Sequence, residues 1–216
     1  LILVDISLTD EEAAELAATD IHVVTIGIEC PEISSVVLDD AAVGWDAANH
    51  LLDLGHRDIG LIEGVSGDQL RFAVPARRRQ GFDEALRARG VEPSTVAIAA
   101  GNFSVNGGAE AMAQLLHLDR RPTAVFAMSD EMAMGALKAA REDGLSVPDD
   151  LSIIGVDDHE LAHVLDLTTV AQDVAGKGST AARWIVTDLE SDRRELYREV
   201  DMASLVIRGT TGKIED

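Results

Sequence analysis

Cysteine, aromatic residues and positive charge are all scarce in this sequence. Cys30 is the only thiol, so no internal disulfide and no multi-cysteine zinc site can form. Lysine and arginine number 18 against 39 aspartates and glutamates, a formal net charge of -21. That imbalance excludes this segment as a non-specific binder of nucleic acid or of anionic membranes, because phosphate contact needs clustered positive charge. A nucleic-acid-binding module elsewhere in a longer chain is not excluded. No apolar run approaches the ~20 residues that a membrane-spanning helix requires. The opening residues, Leu1 to Asp10, carry neither an initiator Met nor a signal-peptide pattern and begin inside an apolar run, so a longer natural chain is expected.

What remains is ample for a core, since 46% of the 216 residues are hydrophobic. Apolar runs at Leu1–Asp5, Ile21–Ile28, Ser34–Leu38, Asp58–Glu63, Thr95–Ala100, Ala124–Met128, Ser152–Val156 and Thr168–Val170 read as strands. A final strand is expected over about Val200–Ile207. Between the strands lie amphipathic helices. Thr9 and Glu12 form a capping box for a helix through Ala18. Val43, Ala47, Leu51 and Leu54 keep helical spacing until Gly55, a natural left-handed cap. A Gly64–Gly67 turn precedes a helix from about Pro75 to Arg89. Further helices are expected at Val105–Leu116, Asp130–Asp143 and Gly178–Leu189. Continuous apolar strands alternating with such helices indicate an α/β fold of doubly wound parallel sheets covered on both faces.

In open parallel sheets, ligands bind beyond the carboxyl ends of the strands. The strand ends here carry Asp39, Glu63, Phe103, Ser129, Asp130, Asp157 and Gln172. Asp130 opens a helix and is read either as an N-cap or as a ligand contact. Phe103, one of few aromatics, lies in a loop of Asn, Ser and Gly and suits a ligand platform. Arg78 arrives by another route, sharing a helical stripe with Phe82 and Leu86. A guanidinium on a core-facing stripe must find a carboxylate or a ligand, because an unpaired buried charge is very costly.

Three patterns imitate chemistry. His159-Glu160-Leu161-Ala162-His163 matches a zinc-hydrolase motif, but it follows directly on a strand end and no third ligand lies nearby, so a loop with two incidental histidines is expected. Lys177 lies in a glycine-containing stretch that lacks the first glycine and the Ser or Thr of a phosphate loop. Cys30 has no His partner in its sequence context and reads as packing or as a bystander thiol. No Ser sits in a nucleophile elbow. No catalysis, metal or cofactor is expected.

Several segments together resemble the LacI/GalR family of bacterial transcriptional repressors. They include Val36-Val37-Leu38-Asp39-Asp40, Leu51-Leu52-Asp53-Leu54-Gly55-His56-Arg57-Asp58-Ile59 and Arg78-Arg79-Gln80-Gly81-Phe82. Pro122 to Ala136, Val147 to Asp158, Leu167 to Gln172 and Leu205 to Thr211 continue the series in the family's order. The resemblance implies a periplasmic-binding-protein-like effector domain of two α/β lobes. One would hold residues 1–64 and 171–198, incomplete at its N-terminal side, and the other 65–170 and 199–210. The effector would sit in the cleft between them. The family's effector contacts would fall on Arg78, Phe103, Ser129, Asp157 and Gln172, with Asp39 beside them. Those positions coincide with the ones reached from strand ends and from the helix stripe. Ser129 stands where many relatives carry Asn, which alters the hydrogen bonding at that corner.

The family's DNA-binding head is absent from this chain, and a first lobe lacking two strands would leave a bare sheet edge. The expected protein is therefore a cytoplasmic, homodimeric repressor without membrane contact. It would bind operator DNA through an N-terminal head outside this chain and a small effector in the cleft. Paired hydroxyls suit Asp157 and Arg78, and an apolar ring face suits Phe103, so a sugar or polyol is expected, with a nucleobase as the other chemistry that fits. A solute-binding protein of a sugar ABC importer shares the fold and is the alternative.

Overall fold

The computed structural model describes residues 1–64, 73–191 and 195–214. In chain order these give β1 (Ile2–Val4), α1 (Asp10–Ala17), β2 (Val24–Ile26), β3 (Ser34–Leu38), α2 (Asp40–Asp53) and β4 (Ile59–Glu63). Next come α3 (Val74–Ala88), β5 (Ala97–Ala100), α4 (Val105–Leu116), β6 (Ala124–Ala127), α5 (Asp130–Glu142) and β7 (Ser152–Asp157). The chain continues with α6 (Glu160–Val164), β8 (Thr168–Ala171), α7 (Val174–Ser191), β9 (Arg198–Asp201) and β10 (Ser204–Val206). Among the described residues no helix is long and apolar enough to cross a membrane.

The elements divide into two units. The first takes residues 1–39, 173–191 and 195–202 into a parallel sheet of order β1-β2-β3-β9. Its small core joins Val24, Val36 and Ala181, with Trp184 and Ile185 of α7 packed against them. Cys30 is buried beside Ala13 and Ile33, and burial pushes its thiol up from the ordinary range, which disfavours the thiolate. Thr9 caps α1 as expected, accepting from the Glu12 amide at 3.2 Å while the Glu12 carboxylate accepts from the Thr9 amide at 2.7 Å.

The second unit is built on a six-stranded sheet of order β10-β8-β7-β6-β4-β5. Five strands are parallel, and β10 closes one edge antiparallel to β8. Its apolar interior includes Leu51, Leu61, Ile62, Leu86, Met112, Leu115, Met128 and Met132, each fully buried. Phe82 of α3 stacks on Phe126 of β6 with centroids 5.5 Å apart. Each such side chain contributes about 1.5–3 kcal/mol relative to exposure. Gly55 and Gly144 end their helices with φ of 98° and 81°, as the helix-stop signals required.

Four expectations need correction. The family resemblance puts residues 40–64 in the first lobe, yet β4 pairs with β5 and β6, so α2 and β4 belong to the second unit. An apolar strand suits either sheet equally, and only long-range pairing decides between them. The single final strand is two: β9 lies parallel to β3 in the first sheet, and β10 lies antiparallel to β8 in the second. α7 begins at Val174, four residues before Gly178. Glu160–Val164 is a short helix rather than a loop, with His159 as its N-cap. Of the expected turn at 64–67, residues 65–67 lie outside the described residues.

Candidate functional site

Six of the seven expected site residues lie in the second unit, at or beside the carboxyl ends of its parallel strands. Asp39 is the exception. It is exposed and follows β3 at the end of a segment of the first unit.

Arg78 is 4% exposed, and its Nε donates to Asp40 Oδ1 at 2.8 Å. Its Nη1 donates to the carbonyl of Met128, the residue just past β6. Of the carboxylate and the ligand that the helix stripe demanded, the structure supplies the carboxylate. Two glycines make this meeting geometrically feasible. A Cβ at Gly44 of α2 would lie 1.9 Å from the Arg78 carbonyl oxygen, and one at Gly81 of α3 would lie 1.8 Å from that of Ala41. α2 and α3 therefore touch backbone to backbone, and Asp40 reaches Arg78. Sequence reasoning missed Asp40, although an acid opening a helix at a strand end is the natural partner for a core-facing guanidinium.

Beyond β5 the chain turns through Asn102 and Phe103, both in the left-handed region at φ of 53° and 48°. The half-buried Phe103 ring lies on the backbone of Gly64, the residue after β4, where a Cβ would sit 1.8 Å from ring Cε2. The sequence marks Gly64 only as a turn residue. Its missing side chain is what gives the ring its seat.

Ser129 and Asp130 divide the roles differently from expectation. Ser129 is the N-cap of α5, its Oγ accepting from the Met132 amide at 3.3 Å, and it is 5% exposed. Asp130 is 0% exposed, with both carboxylate oxygens engaged by protein. Oδ1 accepts from Thr169 Oγ1 at 2.7 Å, and Oδ2 accepts from the His159 amide at 2.8 Å. With no exposed surface, Asp130 offers a ligand nothing to touch in this structure. Burial is the main cause that raises its pKa to about 6; the hydrogen bonds from Thr169 and His159 oppose the shift, and Asp157 and Asp158 add to it. Space for the carboxylate comes from Gly155 of β7, whose Cβ would lie 2.2 Å from Oδ1.

Asp157 ends β7 with φ of 117°, and its neighbour Asp158 has φ of 53°. Gln172, just past β8, donates through Nε2 to Asp157 Oδ1. Adjacent strands thus present an acid and an amide side by side, half-buried, at one sheet edge. Asp158 is engaged by Arg208, whose guanidinium lies 2.7 Å from Oδ1. The zinc-like motif splits at its first residue: the His159 ring accepts the Leu161 amide through Nδ1 at 3.1 Å. Among the described residues no group of three His, Cys, Asp or Glu side chains is placed to hold a metal ion. Chemically, the edge combines an aromatic face, a carboxylate–amide pair and, at the end of β6, a buried guanidinium. This set suits a small polar ring with several hydrogen-bonding groups.

Residues 48–211 match the model of the periplasmic binding protein-like domain. The HTH-type transcriptional repressor CytR of Escherichia coli (strain K12) is 38% identical over 182 residues, 83% of this chain and 52% of that protein. The chain spans about half the length of the curated relatives it matches. A LacI family transcriptional regulator from Enterococcus faecium, solved with bound ribose, aligns with a TM-score of 0.82 at 27% identity, covering 95% of this chain and 75% of that one. A complex of the transcriptional regulator CelR with cellobiose aligns with a TM-score of 0.80 at 30% identity, covering 97% of this chain and 64% of that one.

Proposed function

The chain belongs to the periplasmic binding protein-like domain family, in its LacI/GalR branch, and from that premise we propose that it senses a small effector for a transcriptional repressor. The observation that carries the reading is the carboxyl edge of the six-stranded sheet. There the Phe103 ring, seated on Gly64, shares an edge with the Asp157–Gln172 pair. A sugar is the effector this edge suits: its hydroxyls pair with the carboxylate and amide, and its apolar ring face lies against the aromatic. Two structural neighbours, solved with ribose and with cellobiose, support the same class.

No catalytic step is invoked. The effector acts by binding one state of the repressor more tightly than another, and that difference in affinity is all it can transmit to DNA binding. The operator would be held by an N-terminal head outside these 216 residues, in a cytoplasmic homodimer. The test is a thermal-shift screen of the full-length protein against monosaccharides, disaccharides, sugar phosphates and purines. A ligand at about 100 times its dissociation constant adds about 2.7 kcal/mol of stability, well within detection. A sugar response lost in Asp157→Ala supports the reading. A purine response keeps the sensor and overturns the sugar, and a sugar response unchanged in Asp157→Ala removes this edge as the site.

A further inference from the structure

The turn that carries Asp157 is strained. Asp157 and Asp158 both occupy the left-handed region, which a non-glycine residue keeps only when its surroundings over-determine it. Three restraints act on the turn. The His159 amide donates to Asp130 Oδ2 at 2.8 Å, the Asp158 amide approaches Thr169 Oγ1 at 3.4 Å, and Arg208 holds the Asp158 carboxylate at 2.7 Å. The first ends on Asp130 directly. The second does so through one atom, because the same Thr169 hydroxyl donates to Asp130 Oδ1 at 2.7 Å. A 0% exposed carboxylate thus ties the start of α5 to β8 and to the turn after β7.

We propose that Asp130 is a positioning residue for effector binding, holding the Asp157–Asp158 turn in the shape that aims the Asp157 carboxylate. The proposal rests on the reading of this sheet edge as the effector site. Asp130 acts through Asp157 and has no exposed surface with which to touch the ligand. Its charged surroundings are few. Asp157 and Asp158 face it from the end of β7, and Arg208 is already paired with Asp158. From α3, Arg78 is bound to Asp40 and to the Met128 carbonyl, and the His159 ring is turned to Leu161. With a pKa raised to about 6, Asp130 accepts both hydrogen bonds near neutrality, and protonation leaves it one acceptor oxygen and makes the other a donor. Effector affinity should therefore fall by no more than about threefold as the pH drops through about 6, because the carbonyl oxygen can still accept from the His159 amide.

The test compares Asp130→Ala, Asp130→Asn and Asp157→Ala in the full-length protein, titrating ribose and cellobiose by calorimetry between about pH 5 and 7.5. Asp130→Ala is expected to weaken binding about tenfold or more, the scale of one hydrogen bond to a charged group. Asp130→Asn keeps an oxygen for the His159 amide, so it should bind within about threefold of wild type and lose the decline below about pH 6. That rescue and flattened profile would not follow from a merely structural role. If Asp157→Ala abolishes binding while Asp130→Ala leaves it unchanged, the proposal is overturned and the effector site stands. If neither sugar binds, or Asp157→Ala has no effect, the site reading fails. Ligand-free amide exchange then decides the turn: faster exchange at Asp158 and His159 in Asp130→Ala upholds the restraint, and unchanged exchange overturns it.

Discussion

Replacing Asp40 with alanine leaves the Arg78 guanidinium buried without its carboxylate. The side chains of this pair are 5% and 2% exposed and meet at 2.8 Å. Breaking so buried a pair by removing one partner costs about 3–5 kcal/mol, because the remaining charge is stranded rather than because the pair itself was strong. At about 2–4 °C per kcal/mol for a domain of this size, the loss is on the order of 10 °C in melting temperature. A double variant, Asp40→Ala with Arg78→Met, removes both charges. It should regain about 2 kcal/mol and fall short of wild type, because the Met128 carbonyl loses its donor. Urea denaturation read by tryptophan fluorescence tests this unit by unit. Trp45 lies in the second unit and Trp184 in the first, so a Trp184→Phe background leaves a reporter for the Arg78–Asp40 unit alone. A cost below about 1 kcal/mol for Asp40→Ala, or a double variant no more stable than the single one, would refute the stranded-charge argument.

Other consequences of the geometry can be measured as readily. Gly64→Ala pushes the Phe103 ring off its seat, so sugar affinity should drop about tenfold in calorimetry while stability changes by about 1 kcal/mol or less, since a ring can swing aside. Gly81→Ala meets the Ala41 carbonyl instead, and backbone cannot swing aside; a loss of at least about 1–3 kcal/mol is expected in urea melts. Burial lowers the proton affinity of His50 and His56, so folding favours their neutral rings. Their stabilisation is fully present above the ordinary histidine range and is lost as the pH falls through it. Asp130 works in the opposite sense, its raised pKa adding stability as the pH falls from about 6 towards 3.8. His56→Gln should flatten the acid-side fall in melting temperature between about pH 7 and 5, and a slope identical to wild type would discount the His56 contribution.

Local chemistry was legible from the chain. The Thr9–Glu12 capping box and the Val105–Leu116 helix stand where their residues placed them. The Gly55 and Gly144 stops do so too, because caps and periodicity act within a few residues. Strand ends also led to Phe103, Ser129, Asp157 and Gln172 of the proposed site, since a parallel sheet gathers its carboxyl termini on one side. What escaped was non-local. Nothing in Ile59–Glu63 reveals which sheet it joins, because its apolar run would be buried equally well in either. A strand expected as one piece is divided between sheets at Met202 and Ala203, which no periodicity signals. Asp130 is not the cap of α5, a role that falls to Ser129, and its bond to Thr169, 39 residues away, has no sign in the sequence around Asp130. The one hint was a polar residue within an apolar strand, which needs a partner once buried.

That division of the last strand bears on the order in which the protein can be made. β9 completes the first sheet and β10 the second, so both sheets wait for residues 198–206. During synthesis neither sheet is complete until these residues have left the ribosome, and β3 and β8 each lack one neighbour until then. A chain cut before Arg198 would leave β3 and β8 as open edges at once, two templates for pairing with other chains. One proteolytic event near the end of this sequence would thus bare an edge in both sheets together.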